Sequence, residues 1–260
     1  MKRTLFIIVL IVGCLAGAAF WYISPILTPS HLLVPPTPTV SPTPSPKQKQ
    51  YTVSFDNQTF AYGFFRASPN SLIVIPNYTK KNDFSQLLSA NNCTGGVNGG
   101  FYDQNNNPLG LVVTDGNVIH PAIVSDLFNG FLSVSKNNQL AITSAQPVNP
   151  KIAIQSGPIL VDNGNPLPLT IHNDENSRRM IAATEKDGKV IFMTVYNPDS
   201  VFDGPKLTDL PAIISRIGQQ QSFLLMSALN LDGGSASAFQ SPDLSLSELK
   251  PIGAVLCVHF

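Results

Sequence analysis

The sequence predicts an α+β fold: strand-rich mixed or antiparallel sheets with a few helices, in a single domain after an N-terminal anchor. Two observations carry that expectation. Tight-turn dipeptides join apolar runs at Asp115-Gly116 ("LVVTDGNVIH"), Asn163-Gly164 ("PILVDNGNPL") and Asp187-Gly188 ("MIAATEKDGKVIFMTV"). Asn-Gly and Asp-Gly accept the positive φ of hairpin turns, so each pair of runs reads as antiparallel. Helical spacing is confined to two short stretches, without a regular βαβ repeat.

The first element in chain order is apolar. Lys2 and Arg3 precede an uncharged run from Leu5 to Ile23. As a helix this run spans roughly 28 Å, close to the hydrocarbon thickness of a bilayer. Trp21 and Tyr22 stand where interfacial aromatics belong. Residues 1–27 therefore read as a membrane anchor, its positive end cytoplasmic and the C-terminal domain extracytoplasmic, at a cell surface or in a periplasm. A cleaved signal peptide and a lipid-bearing Cys14 in "IVGC" are the alternatives. Continuation of the run past Cys14 favours the uncleaved anchor. Residues 28–50 form a Pro/Ser/Thr-rich linker, too polar to bury a core and biased to extended polyproline II. Residues 51–260 remain as the domain.

Basic and acidic residues balance at 16 each, but unevenly. Lys2, Arg3, Lys47 and Lys49 fall in the first 50 residues, which carry no acid, so 12 basic and 16 acidic residues remain in the body. That mildly acidic body argues against nucleic acid as a partner. Cys93 and Cys257 pair in an exported domain, or stay as two buried thiols; spacing alone leaves both open. No CxxC or His-rich spacing suggests zinc, and His31, His120, His172 and His259 form no site.

Within the domain, Tyr51–Phe55, Leu72–Ile75, Gly130–Val134 and Ala254–Phe260 read as further strands. Asp83–Ala90 reads as a short helix with Asn82 as N-cap. A second helix starts near Thr208, with Leu210, Ile213, Ile214 and Ile217 at helical spacing, Pro211 in its first turn and Gly218 as its end. Leu224–Leu231 is an apolar strand in which Asn230 and Asp232 alternate with Leu229 and Leu231. Period two puts the amide and the carboxylate on one face, beside the bare backbone of Gly233 and Gly234. A plain turn, with Asp232 capping its own loop, is the competing reading.

Four segments share this character: "NGGFY" (Asn98–Tyr102), "GPILV" (Gly157–Val161), Arg179 opening an apolar strand, and "NLDGGS" (Asn230–Ser235). In this order they resemble the phosphodiester glycosidase family over roughly residues 51 to 260. Pro108–Val113 with its Asp115-Gly116 turn also looks like bacterial members. Ala236 and Met180-Ile181 depart from the residues common in the family. The resemblance implies hydrolysis of the sugar–oxygen bond in a glycosyl-1-phosphodiester, with a sugar phosphate or an envelope polysaccharide as substrate. The departing phosphate monoester has a second pKa near 6, so it needs little protonation. The site then calls for a carboxylate, for which Asp232 is the candidate, and a cation on the phosphate, for which Arg179 is. Gly233, Gly234 and Ser235 would add donors. Asn98 and Asn230 would hold sugar hydroxyls or an N-acyl group, with Gly99, Gly100 and Gly157 lining the site and Asp103 as second carboxylate. No cofactor is expected; calcium on Asp232 and loop carbonyls is the metal alternative. A non-catalytic carbohydrate-binding or polysaccharide-assembly module on the same fold is the rival function.

Overall fold

The computed structural model describes residues 50–259. The expected anchor and nearly all of the linker lie outside the described residues. Among the described residues no helix is long and apolar enough to cross a membrane.

Strands β1 (Tyr51–Phe55) and β2 (Gln58–Ala67) form a hairpin, followed by β3 (Leu72–Pro76), helix α1 (Phe84–Ala90) and β4 (Gly95–Asn98). Next come β5 (Val112–Thr114), β6 (Asn117–His120), β7 (Gly130–Val134), β8 (Leu140–Thr143) and β9 (Ile152–Ser156). The chain continues through β10 (Ile159–Asp162), β11 (Asn165–Pro166), β12 (Arg179–Glu185), β13 (Val190–Tyr196) and helix α2 (Leu210–Gln221). It closes with β14 (Leu225–Asn230), β15 (Phe239–Gln240), β16 (Ser245–Leu246) and β17 (Ala254–Val258). The strands build a seven-stranded sheet, β1-β2-β13-β12-β14-β10-β11, and two five-stranded sheets, β16-β15-β4-β17-β3 and β6-β5-β9-β7-β8. Every strand pairing among them is antiparallel, so the α+β expectation holds.

The seven-stranded sheet is buried on both faces, which is why β12 reads as one apolar run without alternation. Met180 and Ala182 face a core shared with Val97 and Leu256 of the second sheet and Leu132 and Ile154 of the third. Ile181 and Ala183 face the opposite side, under Ile213, Ile214 and Ile217 of α2. The three hairpins form where the turn dipeptides stand, with Thr114 opposite Asn117, Asp162 opposite Asn165, and Thr184 opposite Val190. Asp115, Gly116, Asn163 and Gly164 all take positive φ, whereas in the third turn Gly188 does and Asp187 does not.

Both helix ends differ from expectation. Asn82 does not cap α1; its N–H donates to Asn77 Oδ1, and the Phe84 N–H at the start of the helix is taken by Glu248 Oε1 at 2.6 Å. A distant carboxylate does what a local cap was expected to do. Gly218 does not end α2. The helix runs to Gln221 and stops at Ser222, whose left-handed backbone (φ 56°, ψ 38°) closes it.

Cys93 and Cys257 are disulfide-bonded, with Cα atoms 5.6 Å apart. Cys257 faces the apolar side of α1, among Phe84, Leu87 and Leu88. The bond spans 164 residues of sequence and so removes much freedom from the unfolded chain. Replacing both cysteines by serine is expected to lower unfolding stability by about 2–5 kcal/mol. Urea unfolding of the two proteins checks this, and superimposed transitions would refute it.

Candidate active site

Three strands, one from each sheet, end at one place: β4 at Asn98, β9 at Ser156 and β14 at Asn230. Buried amides knot these ends together. Asn98 Nδ2 donates to the Asp232 carbonyl at 2.8 Å, and its Oδ1 accepts the Ala238 N–H at 2.9 Å. The Asp232 N–H returns to the Gly99 carbonyl at 3.2 Å. Asn230 Nδ2 donates to the Gly157 carbonyl at 2.9 Å. The Asn230 carbonyl accepts both the Gly157 N–H, at 3.0 Å, and the Ser156 hydroxyl, at 2.7 Å. Asn98 and Asn230 are each almost wholly buried, as amides in such a network must be to be worth their desolvation.

Close approach explains two of the glycines. A Cβ on Gly100 would lie 2.7 Å from the Gln155 carbonyl oxygen of β9, and one on Gly157 would lie 2.2 Å from the Leu127 carbonyl oxygen. Side chains there would wedge the sheet ends apart.

Asp232 sits at the centre of the knot. The residue as a whole is half-buried. Burial raises its pKa to about 7, offset in part by the Gly233 N–H, which donates to Oδ1 at 2.9 Å. Its charge is felt by Tyr78 and Tyr102, both of whose phenols burial and that charge hold above their ordinary range. The two rings flank Gly253, where a Cβ would lie 2.5 Å from Tyr78 Cε1 and 2.9 Å from Tyr102 Cδ1. Tyr102 donates to the Pro251 carbonyl. Two polar atoms here are buried without a partner in the structure: the Tyr78 hydroxyl and Asn230 Oδ1.

The structure thus brings Asn98, Gly99, Gly100, Gly157, Asn230, Asp232 and Gly233 into one knot. Other expected residues take different positions. Strand β12 does deliver the arginine pair alongside the "DGG" segment, since the Gly234 N–H donates to the Arg178 carbonyl at 2.8 Å. The guanidinium of Arg179, however, turns to Asp174 Oδ1 at 3.4 Å and to the Pro205 carbonyl at 2.9 Å. Burial is the main influence on it and lowers its pKa; Asp174 and Glu175 act the other way. Its ion pair is with Asp174, and among the described residues no ion pair to Asp232 is found. Arg179 thus clamps the 174–175 loop to the segment leading into α2.

Arg178, the other arginine of the pair, is turned into the core. It is fully buried, donates to Ser237 Oγ at 2.8 Å and to the Ser247 carbonyl at 2.9 Å, and lies over the Phe202 ring. Burial lowers its pKa to about 10.

The N–H groups of Gly233 and Gly234 are taken by Asp232 and Arg178, and the Ser235 carbonyl accepts from Leu249 and Lys250. These are internal bonds, where donors to a phosphate were expected. Asp103 closes its own loop, accepting the N–H groups of Asn105 and Asn107 at 2.8 Å each. Hydrogen bonds from Asn107 and Asn105 pull its pKa down. As for calcium, among the described residues no three His, Cys, Asp or Glu side chains gather as a metal site would need. Tyr78 was not foreseen: it stands in "PNYTKKND", which reads as a solvated loop and carries no signal of burial.

The chain belongs to the phosphodiester glycosidase family, whose model matches residues 91–259. Among solved structures it is similar to the zebrafish N-acetylglucosamine-1-phosphodiester α-N-acetylglucosaminidase catalytic domain, auto-inhibited by its pro-peptide. That likeness has a TM-score of 0.64 at 16% identity and covers 84% of this chain and 85% of the other. A hypothetical protein from Synechocystis matches with a TM-score of 0.54 at 14% identity, over 80% of this chain and 61% of the other. A putative exported protein from Burkholderia pseudomallei matches with a TM-score of 0.55 at 12% identity, over 77% and 74%. At these identities the shared property is the fold. No protein with a curated description matches in sequence.

The raised pKa of Asp232 makes a testable statement about stability. Below about pH 4 the acid is protonated in folded and unfolded chains alike. As pH rises to about 7 the unfolded chain loses this proton and the folded one keeps it, so stability falls across that window and levels off above it. Asp232→Asn removes the effect. The variant is expected to gain on the wild type by a few kcal/mol, in order of magnitude, between pH 4 and 8. Urea unfolding of both at several pH values checks it; parallel pH dependences would refute it.

Proposed function

We propose that the chain is an extracytoplasmic, membrane-tethered hydrolase that cleaves the C–O bond of a glycosyl-1-phosphodiester, in an envelope or exopolysaccharide context. The observation that carries this reading is the placement of Asp232, whose backbone the buried Asn98 amide fixes and whose carboxyl pKa is pushed by burial up to about 7. An acid poised near the working pH serves proton transfer in both directions. Protonated, it lets an anionic phosphodiester approach without charge repulsion. As the C1–O bond breaks, its electron pair stays on the phosphate oxygen, which takes the Asp232 proton. The resulting carboxylate then accepts the proton that the attacking water loses, restoring the starting state. Family membership supports the glycosidase chemistry. The disulfide, a bond that persists in oxidising compartments, supports the exported location.

One observation favours the rival binding module: neither arginine ion-pairs with Asp232. A panel of glycosyl-1-phosphodiesters incubated with the full-length chain separates the two readings, since the enzyme releases sugar and the binding module retains the intact diester. On a substrate found this way, Asp232→Asn is expected to lower kcat about a hundredfold or more while the protein stays folded. Near-wild-type turnover would end the assignment.

Topology is tested separately. Protease added to intact cells or spheroplasts is expected to remove residues 51–260. Their full protection, under conditions that strip known surface proteins, would overturn the exported location.

A further inference from the structure

The geometry points to Tyr78 as a substrate-binding residue, its hydroxyl donating to a phosphate oxygen of the diester held beside Asp232. This rests on the phosphodiester reading above and adds a residue that neither the sequence motifs nor that reading contains.

Three observations converge on it. The Tyr78 hydroxyl is buried without a partner. Such a group costs the folded state the loss of its water without return, so it calls for an explanation, and a ligand oxygen supplies one. The ring and the chain before it are held in place. Gly253 lies against the ring without a side chain, and Asn77, the preceding residue, is pinned by hydrogen bonds. Its Nδ2 donates to the Asn82 and Ile252 carbonyls at 2.9 Å each, its Oδ1 accepts the Asn82 N–H, and its own N–H donates to the Gly253 carbonyl at 2.7 Å. The hydroxyl is therefore oriented before any ligand arrives. The setting also links it to the acid. Gly253 leads into Ala254, whose carbonyl accepts the Gly99 N–H at 2.8 Å, and the Gly99 carbonyl accepts the Asp232 N–H.

The arginine pair sets the context for this donor. Arg179 gives its guanidinium to Asp174 and Pro205, and Arg178 donates to Ser237 and Ser247 while its Nη1 is buried without a partner. The Tyr78 hydroxyl adds a neutral donor for a phosphate brought to Asp232. Burial and the Asp232 charge keep the phenol protonated, so it remains one. A hydrogen bond to an anionic oxygen is stronger than one between neutral groups.

Tyr78→Phe keeps the ring and removes the donor. Isothermal titration of the full-length protein would use inorganic phosphate and a methyl glucosyl 1-phosphodiester, with methyl glucoside as the neutral control. The variant is expected to bind the phosphate-bearing probes about ten- to a hundredfold more weakly and to leave methyl glucoside unchanged. Its melting temperature is expected to stay level or rise, because the lost hydroxyl had no internal partner. Equal binding of the phosphate probes by variant and wild type rejects Tyr78 alone. So does a fall of several degrees in melting temperature, which would mean that the hydroxyl serves the fold. A wild type that binds neither phosphate nor the diester overturns the phosphodiester reading, and the role of Tyr78 with it.

Discussion

The Asn98 carboxamide ties the end of β4 to the backbone of Asp232, and most of the site follows from that bond. Three antiparallel sheets meet with their strand ends exposed to one another, and unpaired backbone groups buried at such a junction are costly. Asn98 and Asn230 satisfy them from side chains: one amide serves Asp232 and Ala238, the other serves Gly157. The bare backbone of Gly100 lets the chain approach β9 closely, and that of Gly157 lets it approach the loop of residues 127–129. The junction is thus a structural necessity before it is a place for chemistry.

Its chemical character comes from what the junction encloses. Burial strips hydration from the Asp232 carboxyl, and the Gly233 N–H offsets part of that loss. The same acid on a solvated loop behaves quite differently, as Asp103 shows: its hydrogen bonds from Asn105 and Asn107 favour the charged form. Both acids follow a glycine pair or precede one in similar-looking sequence. Environment, not residue type, sets the opposite pKa shifts of the two acids.

Much of the fold is legible in the sequence because its signals are local. Positive-φ turns at Asp115-Gly116 and Asn163-Gly164 depend on two residues each, and the helical stripe of Leu210, Ile213, Ile214 and Ile217 depends on one turn after another. The centre of the site is legible for a related reason: "NGGF" and "NLDGG" concentrate amides, a carboxylate and glycines that few other roles require. What is not legible depends on distant partners. Arg179 looks available in sequence, but Asp174 and Pro205 claim it after folding. Glu248 caps a helix 164 residues away from it in sequence, and Cys257 reaches Cys93 only because β17 pairs with β4. Tyr78 belongs with these, since only the folded structure packs Gly253 against its ring and buries its hydroxyl.

The central claim is that folding encloses one carboxyl and moves its titration to neutrality. Carbon-detected NMR titration of the Asp232 side-chain carboxyl, with the signal assigned by its loss in Asp232→Asn, measures this directly. A midpoint near pH 7 is the expected result. A midpoint near pH 4, the ordinary value for a solvated aspartate, would contradict it.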